Sequence, residues 1–170
     1  MKSMILACTG LVSALWLVPA AAQAGGLEPV ARFYAGQSHL DLEVYRASDG
    51  SALGMLTIEN PLRIRGQPIA TIALQPAQWP ELIALWSKAR AGVTGAEPWA
   101  PMGEIIELDG SSVPARLTVS SGPDVRFALG QAGGGLTFEL AATDVEAMDQ
   151  ALVREQALLQ TKARPRKARK

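Results

Sequence analysis

The chain has a single cysteine, Cys8, a single histidine, His39, and aromatic residues at only 5% of its 170 positions. One cysteine forms no disulfide within the chain, so an exported form must be held together by buried apolar surface. One histidine excludes the histidine pair at helical spacing that metalloproteases use. No glycine-rich loop runs into Lys and then Ser or Thr, and no Gly-x-Ser-x-Gly elbow occurs. These absences remove the common signatures of phosphate binding and serine hydrolysis, and nothing nominates a nucleophile beside a base. The chain is therefore read as non-catalytic and without a cofactor.

What is present begins with an address. Lys2 precedes "MILACTGLVSALWLV", 15 residues without a charge, followed by Pro19 and the small-residue run "AAAQA". This is the pattern of a secretory signal peptide over residues 1–24, with Ala22-Gln23-Ala24 as the cleavage motif and Gly25 as the first mature residue. A retained anchor is the competing reading, but Thr9, Gly10 and Ser13 make a poor spanning helix, which needs about 20 strongly apolar residues. A lipidated Cys8 after "ILA" fails on position, because seven residues are too few for a charged start and an apolar core. The expected location is periplasmic or secreted, and the mature chain lacks cysteine altogether.

Zero net charge conceals a division. Residues 25–161 carry nine Lys and Arg against sixteen Asp and Glu, a balance of minus 7, and residues 162–170 add six cations. The body is acidic and the tail is basic.

Two fragments repeat within the body. "DGSALGMLTIEN" at Asp49 and "DGSSVPARLTVSS" at Asp109 share an Asp-Gly-Ser turn and a following strand. An alternating apolar segment precedes each turn, "LDLEV" and "EIIEL". Extended segments follow, "PLRIRGQ" and "PDVRFALGQ" with Arg63 and Arg126 between apolar neighbours, then "PIATIALQ" and "GGLTFELA". Each series leads into a helical pattern. The spacing predicts two units of four strands and one helix.

Elementary periodicity supports these elements. Leu40, Leu42 and Val44, and Leu136, Phe138 and Leu140, alternate as strands with one buried face. Asp-Gly suits a hairpin turn because glycine tolerates positive φ. Trp79, Leu82, Ile83 and Trp86 form one helical stripe, with Pro80 in the first turn where its missing N–H costs little. Thr143 and Glu146 have the spacing of a capping box, and Val145, Met148 and Leu152 supply the inner face of a second helix.

The resulting domain plan is a signal peptide over 1–24, a lead-in over 25–38, a first unit over 39–92, a linker over 93–102, a second unit over 103–161 and a basic tail over 162–170. A unit of about 60 residues is marginal alone, so the two are expected to share one core in an α+β architecture of mostly antiparallel strands. In the order of its elements over residues 40–159, this plan resembles the single-stranded-DNA-binding Whirly-type proteins. The resemblance implies a duplicated strand-and-helix fold and offers nucleic acid as a partner. The acidic body argues against that partner, since gripping a single strand takes a basic groove with exposed aromatics.

Three groups of residues are candidates for function. His39, Asp41 and Glu43 share one face of a strand, opposite Leu40, Leu42 and Val44, and could hold a metal or move a proton. Same-face side chains start about 7 Å apart, wide for three ligands on one ion, so the expectation is a solvated strand face. Trp99, in the turn-rich linker, is the candidate for contact with a partner. "GQAGGGL" from Gly130 is glycine-rich without a phosphate-loop lysine and reads as a hairpin. Lys162, Arg164, Arg166, Lys167, Arg169 and Lys170 make a polybasic segment suited to an anionic lipid, polymer or envelope protein.

Overall fold

The structure, a computed structural model, describes residues 26–62, 68–95, 98–108, 113–131 and 134–161. The signal segment, the Asp109-Gly110 turn and the tail 162–170 lie outside the described residues.

Two four-stranded antiparallel sheets are each followed by a helix. The first sheet runs β1 (Gly26–Ala35), β2 (Ser38–Arg46), β3 (Ala52–Glu59) and β4 (Ile69–Leu74) in chain order, and α1 (Trp79–Ala91) follows. The second runs β5 (Ala100–Ile106), β6 (Arg116–Ser121), β7 (Val125–Gln131) and β8 (Gly134–Leu140), also in chain order, and α2 (Val145–Gln160) follows. This is the expected α+β architecture of two tandem units.

The strands of the second unit fall where the sequence places them, although β5 begins inside the expected linker. The first unit differs. Its strands include Gly26–Ala35, within the segment read as a lead-in, and of "PLRIRGQ" only Pro61 and Leu62 are among the described residues. β1 was missed because its apolar positions do not alternate, and a bulge at Pro29 to Ala31 breaks its register. Pro61 and Leu62 form a turn, with the Leu62 N–H donating to Asn60 Oδ1 at 3.2 Å and the Asn60 N–H to the Pro68 carbonyl at 2.7 Å. Arg63 lies outside the described residues.

The Asp49-Gly50 turn forms as expected. Gly50 has φ of 87°, and Asp49 Oδ1 accepts from the Ser51 N–H at 2.8 Å. The capping box does not form. Ala142–Asp144 tighten into a 3-10 turn that takes in Thr143, so Asp144 becomes the N-cap, without a side-chain bond.

One apolar core joins the units. Leu40, Leu42 and Val44 of β2, Leu56 and Ile58 of β3, and Ile72 and Leu74 of β4 are sealed from solvent, as are Leu117, Val119, Phe127 and Phe138 of the second sheet. The helices exchange partners. α1 packs on β5 and β6, whereas α2 packs on β1, β2 and β3. Trp86 of α1 stacks on Phe127 of β7, ring centroids 6.0 Å apart. Each unit's helix therefore covers the other unit's sheet, which is why a half of this size does not have to bury its apolar face alone.

Trp79 stands at the crossing. Its Nε1 donates to the Leu152 carbonyl of α2 at 3.1 Å, and its ring lies on Gly54 of β3. A Cβ on Gly54 would sit 2.4 Å from Trp79 Cζ3, so only glycine admits the indole here. Gly54→Ala is expected to cost about 1–3 kcal/mol by overpacking, measured as a lower denaturation midpoint with an unchanged slope.

Glu155 of α2 shares that crossing. It is fully buried, and among the described residues neither carboxyl oxygen makes a hydrogen bond of full geometry, the Met55 backbone being the nearest to doing so. Burial pushes its pKa up to about 9; the Met55 backbone opposes this, and the nearby Glu43 charge reinforces it. The folded chain thus keeps a proton that the unfolded chain releases near the ordinary value of 4.5. Stability from this group is complete below that value and falls as pH rises from about 4.5 to about 9. Glu155→Met is expected to raise stability at pH 8 by roughly a few kcal/mol and to gain little at pH 4.5, read by urea denaturation at both values.

Candidate functional site

The residues singled out by the alternation lie on the outer face of the first sheet. A two-residue turn sets their surroundings. Gly36 has φ of 63° and Gln37 does not have positive φ, the pattern of a hairpin turn with glycine at its first position. That turn pairs Ala35 with Ser38, so Tyr34 faces His39 and Arg32 faces Asp41. On the other side of β2, His39 faces Glu59 and Glu43 faces Met55 of β3.

This outer face is not the freely solvated surface the sequence suggests. The Asp41 side chain is 11% exposed and that of His39 is 13% exposed. Arg32 grips Asp41 with two bonds, Nε to Oδ1 at 2.5 Å and Nη2 to Oδ2 at 2.8 Å. The His39 Nε2 is 3.5 Å from Asp41 Oδ2 and 3.3 Å from Glu59 Oε2, and the Tyr34 ring is tilted over the imidazole with centroids 6.0 Å apart. The result is a line of charge and hydrogen-bonding groups, Arg32, Asp41, His39 and Glu59, drawn from three strands. Asp41 holds the Arg32 guanidinium firmly in its charged form.

Glu43 stands apart from His39. Its carboxyl opens onto a shallow hollow beside Asp41, under the β1 bulge. Burial, and then the Asp41 charge, push its pKa up, while Arg32 pulls the other way. The sequence grouped His39 with Asp41 and Glu43, but the fold replaces Glu43 with Glu59. Among the described residues, no three His, Cys, Asp or Glu side chains are arranged to hold a metal ion. Arg32 occupies both oxygens of Asp41, leaving that carboxylate already neutralised.

Glu59, Arg32 and Tyr34 were not nominated from the sequence because each reaches the site through strand pairing. The Gly36 turn was the available signal, since a two-residue hairpin fixes the register that brings Tyr34 and Arg32 across from β2.

Trp99 turns inward. Its half-buried ring lies against Gly122 in the β6–β7 turn, and the Arg126 guanidinium stacks over it at 3.7 Å from the ring centroid. Arg126 also meets Glu139 at 2.6 Å, and Arg116 meets Glu104 at 3.4 Å. The outer face of the second sheet is charge-balanced in these pairs. That of the first sheet carries Asp41, Glu43 and Glu59 against Arg32.

The polybasic segment begins where α2 ends. Arg46, the last residue of β2, donates from Nη2 to the Leu158 carbonyl at 2.8 Å and from Nη1 to the Thr161 carbonyl at 3.0 Å. The Leu158 carbonyl also accepts from the Thr161 N–H at 3.1 Å, so Arg46 adds a second bond at the end of the helix, where carbonyls lack i+4 partners. The Thr161 hydroxyl donates back to the Ala157 carbonyl at 2.8 Å, closing the last turn. The helix ends at Gln160, with Thr161 as its cap at one end of the first sheet.

Compared with known proteins, the chain matches no family model, no curated protein and no solved structure.

Because Asp41 is buried and Arg32 neutralises it, removing the guanidinium should cost more than removing both groups. Arg32→Leu is expected to melt below the Arg32→Leu/Asp41→Leu double variant, as followed by circular dichroism.

Proposed function

We propose that this is an exported, non-catalytic binding or structural protein of the cell envelope, attached to an anionic surface through Lys162, Arg164, Arg166, Lys167, Arg169 and Lys170. The observation that carries this reading is the Arg46 clamp on the end of α2. It ties the last residue before the cationic segment to the end of β2, so the segment is joined to the folded body at a defined place. Each cation near an anionic surface contributes at most about 1 kcal/mol, and six together suffice for salt-sensitive attachment. The signal-like segment 1–24 supports export. Among the described residues no helix is long and apolar enough to cross a membrane.

The alternative of a metal-dependent protein built on His39, Asp41 and Glu43 is weaker, because Arg32 holds Asp41 and Glu43 lies away from the imidazole. The nucleic-acid alternative is opposed by the charge of the first sheet's outer face, where, among the described residues, three carboxylates face one guanidinium. On the second sheet, Arg126 and Trp99 are engaged with each other.

Vesicle sedimentation tests the reading. The mature chain is expected to sediment with vesicles of about one-third phosphatidylglycerol at low salt and to be released at about 0.5 M salt. Deleting residues 162–170 should abolish sedimentation, and equal sedimentation of the shortened chain would refute the role of the tail.

A further inference from the structure

The buried stripe of α2 runs through Met148, Leu152, Glu155 and Leu159, the spacing of a helix face laid on a sheet. Its third member is a carboxylic acid. Glu155 Oε1 and the edge of the Trp79 ring both lie over Gly54 of β3, 3.1 Å and 2.4 Å from the point where a Cβ would stand. A neutral carboxyl can be tolerated in such a place, but a carboxylate without a counter-cation costs far more there than in water.

No counter-cation faces it among the described residues. Glu43 of β2 is the charge that acts on Glu155, through the sheet and with the same sign. Glu28 of β1 and Arg46 of β2 meet each other at 3.5 Å, and Arg46 spends its other nitrogens on the end of α2. Arg32, His39, Asp41 and Glu59 project from the opposite face of the sheet. β3 offers Gly54 and the Met55 backbone, and α1 offers the Trp79 ring, none of them charged.

α2 is also fastened unevenly on the two sides of this position. In its first half, Asp149 accepts from Trp86 Nε1 at 2.6 Å and pairs with Arg90, and the Leu152 carbonyl accepts from Trp79 Nε1 at 3.1 Å. These bonds make that half one block with α1. The second half, residues 153–160, rests on the first sheet through Glu155 and Leu159 and is held at its end by Arg46. Its central contact with the sheet is thus the one group whose fit depends on a proton.

We propose that residues 153–160 form a proton-controlled latch, which lies on the first sheet while Glu155 is protonated and lifts from it when the proton is lost. Lifting carries the carboxylate into water, bares the inner face of the sheet around Gly54 and frees Arg46 from the helix end. The first half of α2 stays clasped to α1. The latch stands apart from the reading of the tail as an attachment element.

Amide hydrogen exchange followed by NMR on the mature chain tests it, with each rate corrected for the intrinsic rate at that pH. The closed latch keeps its proton up to about pH 9 and the open one releases it near 4.5, so opening gains about tenfold per pH unit between them. From about pH 6 to about pH 8 the protection of the amides of residues 156–160 is expected to fall about a hundredfold, and at every pH to lie at least about tenfold below that of Ala151, Leu152 and Leu42. Glu155→Gln, which cannot ionise, should keep the fold and abolish the fall. Protection equal to that of Leu152 and Leu42 would mean that α2 opens only with the whole body, and would overturn the latch. So would low protection that ignores pH, which is ordinary fraying of a helix end, or a fall that persists in Glu155→Gln.

Discussion

The exchange of helices between the two sheets is the constraint on which the rest of the structure depends. α1 follows the first sheet in the chain and lies on the second, and α2 does the reverse. Where the two helices meet, Trp79 binds the Leu152 carbonyl, Trp86 binds Asp149 Oδ1 at 2.6 Å, and Arg90 pairs with the same carboxylate. Trp79 reaches this junction only because Gly54 leaves room on β3. A strand of one unit, its helix and the helix of the other unit therefore pack as one block. Neither unit can close its core while the other is open, so folding is expected to be cooperative across the whole body.

The same exchange explains which parts of the fold were legible in the sequence. Inward-facing positions such as Leu40, Leu42, Val44, Leu136, Phe138 and Leu140 announced themselves, because burial on one side imposes a period of two. Trp79, Leu82 and Trp86 announced α1 in the same way. The repeat is out of step with the architecture, and of its two Asp-Gly turns only the one at Asp49 lies among the described residues. It matched β2 and β3 with β5 and β6, whereas the structure places β2 and β3 in the middle of one sheet and β5 at the edge of the other. Similar turns and alternating strands recur wherever a hairpin is made, so a short match cannot say which hairpin is equivalent to which. β1 escaped for a related reason, since its bulge and its mixture of Pro29, Arg32 and Phe33 erase the alternation.

At the candidate site, the sequence supplied the face and missed the partners. The period of a strand put His39, Asp41 and Glu43 together, but a side chain's neighbours across a sheet are as close as those along the strand. Glu59 and Arg32 therefore outrank Glu43 as companions of His39 and Asp41. An exposed strand face would need no such pairing. Asp41, nearly buried on what should be the solvent side, gains its low exposure from the Arg32 side chain laid across it, and the imidazole gains its own from Tyr34 and the flanking carboxylates.

The outward chemistry of the two sheets then differs for a physical reason. Both sheets spend their inner faces on the shared core, so only the outer faces are free to vary in charge. The second sheet's outer face pairs its cations locally, and Arg126 additionally fastens Trp99 over the β6–β7 turn. Among the described residues, the first sheet's outer face sets Asp41, Glu43 and Glu59 against the single guanidinium of Arg32, with the His39 imidazole between Asp41 and Glu59. Its charge is therefore settled across three strands through one histidine, where the second sheet settles its own in separate pairs of neighbouring strands.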